Sequence, residues 1–287
     1  MRPSSELTRR MEMFTGRALT PLPLAWEDSA NWLWKSEGVS PELIKLARMR
    51  PEQDAFWHGL STLFGFDRWR IAERIPRLAG ALPPLLPLMP LPMTYLGQLQ
   101  HSPVWSLPWR TASVAHWTTT FAELLGDHVG RLHRETVSGW GHPLERTFTL
   151  DQWPLRVKRY LSHSTRRTEL GSLADRLSAV PTSAVWSLPD LRVDQFMWNA
   201  TGWFWNDWEA LLWAPLEFDW SLLEVLLDNE IHRAAFYEAY RLHASPPDLQ
   251  QHRLHCRAVL WLMNVFGPLN WETLASRPCW VDSLNRH

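Results

Sequence analysis

The chain has 287 residues, with 29 Lys plus Arg against 30 Asp plus Glu and a formal net charge of −1. That balance leaves no cationic excess for general nucleic-acid binding. Hydrophobic residues at 45% and charged residues at 21% are ordinary globular usage and exclude wholesale disorder. Two cysteines, Cys256 and Cys279, cannot build a disulfide scaffold and fit a reducing compartment.

The opening run Met1-Arg2-Pro3-Ser4-Ser5-Glu6 leads into charged sequence with no apolar stretch, so no targeting segment is expected. Residues 20–48 read as short strands. Ala30-Asn31-Trp32-Leu33-Trp34-Lys35 alternates apolar and polar groups, Ser36-Glu37-Gly38 turns, and Glu42-Leu43-Ile44-Lys45-Leu46 is a second β-like run. Together they predict a hairpin. Pro51 fits a first helical position, with Phe56, Leu60 and Leu63 recurring at helical spacing. The longest apolar tract, Leu78 to Met93, carries Pro83, Pro84, Pro87, Pro90 and Pro92. Each proline removes a backbone donor, so the tract cannot span a membrane as a helix. A soluble, cytoplasmic protein with no membrane partner is expected.

Met93 to Trp105 reads as extended, and from His116 the chain turns mainly helical, over 116–134, 151–176, 220–243 and 247–265. Val185 to Ala214 interrupts the helices with β-branched and aromatic residues and a turn at Asn199-Ala200-Thr201-Gly202. The predicted class is α+β: a small lobe with a sheet and one helix, a linker near 100–112, and a larger helical lobe carrying a hairpin. A cleft between such lobes is a usual ligand site. The 20 Trp read as core packing ahead of a stacking surface, because they fall in strand-like and helical segments alike.

Asp190 and Asp207 lie 17 residues apart, one before and one after the tight hairpin, so the ribbon brings them to the same end. Two carboxylates with the Gln195 amide oxygen suit a hard divalent cation and phosphate. The alternative is structural: Asp190 caps a turn and Asp207 a helix start. Imidazoles at His252 and His255 lack a third ligand nearby, which makes metal binding there a poor fit.

This arrangement resembles the aminoglycoside phosphotransferase and choline kinase group, the protein-kinase-like small-molecule kinases. Their catalytic loop reads His-Gly-Asp, four residues, Asn, then a hairpin and Asp-Trp/Phe-Glu/Gly. Here Asp190 falls on the catalytic aspartate, Gln195 on the metal-binding Asn and Asp207 on the magnesium aspartate, with Trp208-Glu209 behind it. Asp219 falls where a structural aspartate ties a helix to the catalytic loop. Upstream, Leu43-Ile44-Lys45-Leu46 matches the strand with the phosphate-binding lysine, and Gly130-Arg131-Leu132-His133 a helix ending in Leu-His.

The resemblance implies a bilobal kinase-like fold, with a nucleotide-binding lobe over 1–103, a hinge at 104–112 and a helical lobe over 113–287. It implies an ATP- and Mg²⁺-dependent phosphotransferase acting on a hydroxyl of a small molecule. Glu52 is expected to pair with Lys45, with Asp54 as runner-up, and Trp105 and Leu107 to lie in the hinge that holds adenine. Arg192 is expected at the transfer point, or else simply paired with Asp194. Three departures point to an alternative, a pseudokinase that binds nucleotide or a partner without turnover. Leu188-Pro189 replaces His-Gly, Gln195 replaces Asn, and the nucleotide-covering loop at 24–32 has no glycine, with Glu27-Asp28 set to repel phosphate.

Overall fold

The computed structural model describes residues 1–24, 27 and 29–284. The charged opening conceals a helix. Ser4 caps α1 (Ser5–Thr15), its Oγ accepting from Leu7 N at 3.1 Å, and Gly16 ends it at φ 67°. A five-stranded antiparallel sheet follows, from β1 (Leu19–Pro21), β2 (Asn31–Ser36) and β3 (Glu42–Ala47). After β3 come α2 (Ala55–Thr62), β4 (Met89–Pro90), β5 (Thr94–Leu99) and β6 (Ser102–Pro108), and the sheet order is β1-β2-β3-β6-β5.

Strand alternation sorts this sheet into two faces. Trp34, Ile44, Leu46 and Val104 point outward and are covered by Met11, Leu7 and Phe14 of α1. Asn31 and Leu33 of β2, with Leu43 and Lys45 of β3, are therefore left for the inner face. Lys45 pairs in register with Leu33 on one side and Trp105 on the other.

The second lobe begins with β7 (Ser113–Val114) and α3 (Thr119–Arg134), capped by Thr118. Then come β8 (Gly139–His142), β9 (Arg146–Thr149), α4 (Trp153–Ser162), α5 (Arg167–Leu170) and β10 (Ala184–Ser187). The predicted hairpin forms as β11 (Phe196–Asn199) and β12 (Gly202–Trp205), with Asn199 paired to Gly202 across the turn. The chain closes with β13 (Leu212–Pro215), α6 (Leu216–Leu226), α7 (Glu230–Tyr240), α8 (Arg253–Leu262), α9 (Trp271–Ala275) and α10 (Val281–Leu284). Gly126 on α3 lets α7 approach: a Cβ there would sit 2.1 Å from the Phe236 carbonyl oxygen.

Three helical expectations are cut short by local chemistry. The 151–176 run breaks after Ser162 into α5 and a 3-10 turn at Gly171–Asp175. The 220–243 run starts earlier and splits at Asn229, whose side chain caps α7. Helix α8 covers only the middle of 247–265. The first lobe is also less separate than a 1–103 unit implies. Strand β4 runs parallel to β12 in a sheet ordered β4-β12-β11-β7, and Leu91 N donates to Trp205 O at 3.0 Å.

Among the described residues, seven Trp side chains are fully buried: Trp34, Trp105, Trp140, Trp153, Trp205, Trp208 and Trp220, so these indoles serve as core. None of the helices among the described residues is long and apolar enough to cross a membrane.

Candidate active site

A cavity of about 490 Å³ lies between the inner face of the first sheet and the loops flanking the β11–β12 hairpin, lined by Leu33, Leu43, Lys45, Asp190, Gln195 and Asp207 among others. Lys45 Nζ donates to Asp207 Oδ1 at 3.0 Å and to the Asn206 carbonyl at 3.1 Å. Burial works against the Lys45 charge, but Asp207 and Glu209 outweigh it and lift the ammonium above its ordinary value. Asp207 is likewise penalised by burial and rescued by Lys45, which holds its carboxyl below the usual range. Both groups are therefore ionised.

Asp190 stands three residues beyond β10, in the loop that ends at a 3-10 turn over Val193–Gln195. Gln195 Nε2 donates to Asp190 Oδ2 at 2.8 Å, and Arg192 Nη1 lies 3.4 Å from Oδ1. Arg192 also donates from Nε to Asp194 at 3.1 Å, so it is shared between the two aspartates. Burial pushes the Asp190 carboxyl up to about 7, with Arg192 pulling it down and Asp207 and Asp194 adding to the rise.

Asp219, on α6, ties the loop to the helices. It accepts from Ser187 Oγ, at the end of β10, and from His133 Nε2 at 2.9 Å. His133 Nδ1 is 3.0 Å from the Tyr240 hydroxyl, which accepts from Trp220 Nε1 at 3.0 Å. This chain of bonds fixes the segment leading to Asp190 although Leu188 stands where the resembled loop has histidine.

Three predicted residues lie apart from the cavity. Glu52 is exposed on a 3-10 turn, Pro51–Gln53, because Pro51 starts that turn rather than the helix. The partners of Lys45 are Asp207 and Glu209 instead. The runner-up Asp54 lines the cavity and caps α2, accepting from Trp57 N at 2.8 Å. Trp105 and Leu107 belong to β6, between β3 and β5, where their ladder continues to Pro108. Both are buried, and Trp105 Nε1 donates to Ala72 O at 3.0 Å. The connection that leaves this strand is residues 109–112. Of the covering loop, Asp28 lies outside the described residues.

Sequence reasoning gave no role to Asn31, Arg68 or Glu209. Arg68 is fully buried and donates from Nη1 to Glu209 Oε1 at 2.8 Å and to Asn31 Oδ1 at 3.0 Å. Asn31 Nδ2 also donates to Glu209 Oε1, at 2.9 Å. The only available signal was Glu209 itself, two residues after Asp207.

The oxygens present fit a hard cation. Gln195 Oε1 and Asn206 Oδ1 are buried and have no hydrogen-bond partner in the structure, and both residues line the cavity beside Asp207. Among the described residues, no group of three His, Cys, Asp or Glu is placed to hold a metal, so phosphate oxygens would have to complete any such shell.

The fold is the bilobal architecture that kinase-like small-molecule phosphotransferases share. No protein-family model matches the chain, and no curated protein matches it in sequence. Solved structures do match it in fold. A spectinomycin phosphotransferase solved with ADP and spectinomycin aligns over 99% of this chain and 92% of its own, at 14% identity and a TM-score of 0.54. A choline kinase from Streptococcus pneumoniae aligns over 98% and 96%, also at 14% and 0.54. A macrolide 2′-phosphotransferase from Brachybacterium faecium aligns over 96% and 98%, at 14% and 0.53. The resemblance read from the motifs thus holds at the level of the fold.

Proposed function

We propose that the chain is an ATP- and Mg²⁺-dependent phosphotransferase acting on a hydroxyl of a small molecule. One observation carries the reading: Lys45 from the sheet half and Asp190 and Asp207 from the other half line one cavity. The known activities of structures that share the fold, on spectinomycin, choline and macrolides, are compatible with it. Asp207, with the amide oxygens of Gln195 and Asn206, would hold Mg²⁺, which when bound neutralises phosphate charge. Lys45, kept protonated by its two carboxylates, orients the phosphates. Asp190 accepts a hydrogen bond from the acceptor hydroxyl and takes its proton. A carboxyl raised to about 7 is half ionised at neutral pH and a stronger base than an ordinary aspartate. Arg192, between Asp190 and Asp194, steadies the loop and adds positive charge beside the transfer point.

A second reading, nucleotide binding without turnover, is favoured by one feature: Gln195 and Arg192 engage both Asp190 oxygens. ADP release from Mg·ATP across a panel of hydroxylated metabolites separates the two. The first reading expects release with at least one acceptor, abolished by a chelator. Nucleotide binding with no release for any acceptor supports the second, and absence of binding removes both.

A further inference from the structure

Helix α2, directly after the lysine strand, has the sequence Ala-Phe-Trp-His-Gly-Leu-Ser-Thr and so has no acidic residue to offer Lys45. Glu52, the acid before it, is exposed. Lys45 is therefore held by Asp207 and, at 3.9 Å, by Glu209 Oε2. These two anions are not equivalent. The Asp207 side chain is 41% exposed to the cavity, while that of Glu209 is 2% exposed. Asp207 is also the residue beside the unpaired amide oxygens of Gln195 and Asn206. A cation bound there would draw the Asp207 carboxylate away from Lys45.

Glu209 is fixed in place. Its Oε1 is held by Arg68 and Asn31, leaving Oε2 with no hydrogen-bond partner and facing Lys45. Arg68 is locked in turn: Nη2 donates to Ala30 O at 2.8 Å, and the guanidinium lies 4.0 Å over the Trp57 ring. We infer that Glu209 is the positioning residue for Lys45, with Arg68 and Asn31 as its clamp. It supplies from behind the metal aspartate the anion that α2 lacks. The same clamp binds the start of β2 at Ala30 and Asn31, so the edge of the phosphate-covering loop and the lysine share one support. The bearing of this on catalysis rests on the phosphotransferase reading, but the placement of Lys45 does not.

The test is trace acetylation of Lys45 by acetic anhydride at pH 8, read by peptide mass spectrometry, together with Mg·ATP titration by tryptophan fluorescence. The charged groups facing Lys45 are Asp207, Glu209 and Arg68. Glu209→Gln keeps an acceptor for Arg68 and Asn31 and removes the charge toward Lys45. Without that anion Lys45 acetylates about tenfold faster, and Mg·ATP binds about tenfold more weakly. An acetylation rate unchanged in Glu209→Gln but raised in Asp207→Asn overturns the inference, because Asp207 alone would then hold the lysine. Should Glu209→Gln not fold, Glu209→Asp is read in its place: it keeps a charge for Arg68 and draws it back from Lys45, so the same rise in acetylation is expected. If the parent binds no nucleotide, the proposed function falls, while the acetylation rates still decide the role of Glu209.

Discussion

Two buried ionic clusters, one at the crevice and one behind it, use the same chemistry to opposite ends. Behind α6, Glu224 is wholly enclosed and saturated. It accepts from Arg253 Nε at 2.7 Å, Arg253 Nη2 at 3.1 Å, Arg257 Nη2 at 2.9 Å and Val281 N at 3.2 Å. Its own carbonyl takes the Trp280 indole at 2.9 Å. At the crevice, Glu209 Oε2, Gln195 Oε1 and Asn206 Oδ1 are left without hydrogen-bond partners. A buried polar group left unmatched destabilises the fold, so the two clusters separate by purpose. The cluster around the fully matched Glu224 carboxylate anchors the last helices. The other sets Glu209 Oε2 against Lys45 and leaves the amide oxygens of Gln195 and Asn206 unmatched at the cavity.

The largest effect that tests this contrast is on turnover. Asp190→Asn is expected to slow phosphoryl transfer by about 10²–10⁴-fold, the usual worth of a positioned general base, with Mg·ATP affinity little changed by fluorescence titration. Equal loss of affinity and rate would mean that Asp190 is part of the binding wall instead. Next comes stability. Glu224→Gln, away from the cavity, removes the carboxylate that Arg253 and Arg257 share and should cost about 3–5 kcal/mol in urea unfolding, again with nucleotide affinity intact.

A third effect is a pH dependence. The Asp190 carboxyl lies near 7 in the fold against an ordinary 3.8, so between those values the native state holds a proton that the unfolded state has lost. Stability contributed by this group therefore falls as pH rises from about 4 to 7. Asp190→Asn removes that slope: thermal melts should show the variant matching the parent near pH 4, gaining on it up to about pH 7, and holding that lead above. Turnover by the parent should rise through about pH 7 as the base ionises. The smallest effect is the absence of one. Glu52→Ala, at an exposed 3-10 turn, should leave nucleotide affinity and melting temperature within error of the parent.

How much of this was readable follows from the range of each interaction. The hairpin between Asp190 and Asp207 was legible because alternation and the Asn-Ala-Thr-Gly turn act locally, and so was Lys45 on its strand. Glu52 was misread because Pro51, taken as a first helical position, opens a separate turn instead. Trp105 and Leu107 were misplaced because nothing local tells how far a ladder with β3 extends. The clamp was invisible for a different reason: Asn31, Arg68 and Glu209 are separated by 37 and 141 residues and meet only in three dimensions. The hairpin β8–β9 was likewise absent from the reading, its Gly139-Trp140-Gly141-His142 strand depending on a central neighbour, β13, far along the chain.

The seating of β4 against β12 has a mechanical corollary. The polypeptide passes from the upper half to the lower after α2, returns through Leu91 to Met93, and descends again at 109–112. The halves are thus joined by three strands of covalent chain, one of them laced into the lower sheet. A swivel of one half upon the other would have to strip β4 from its neighbour.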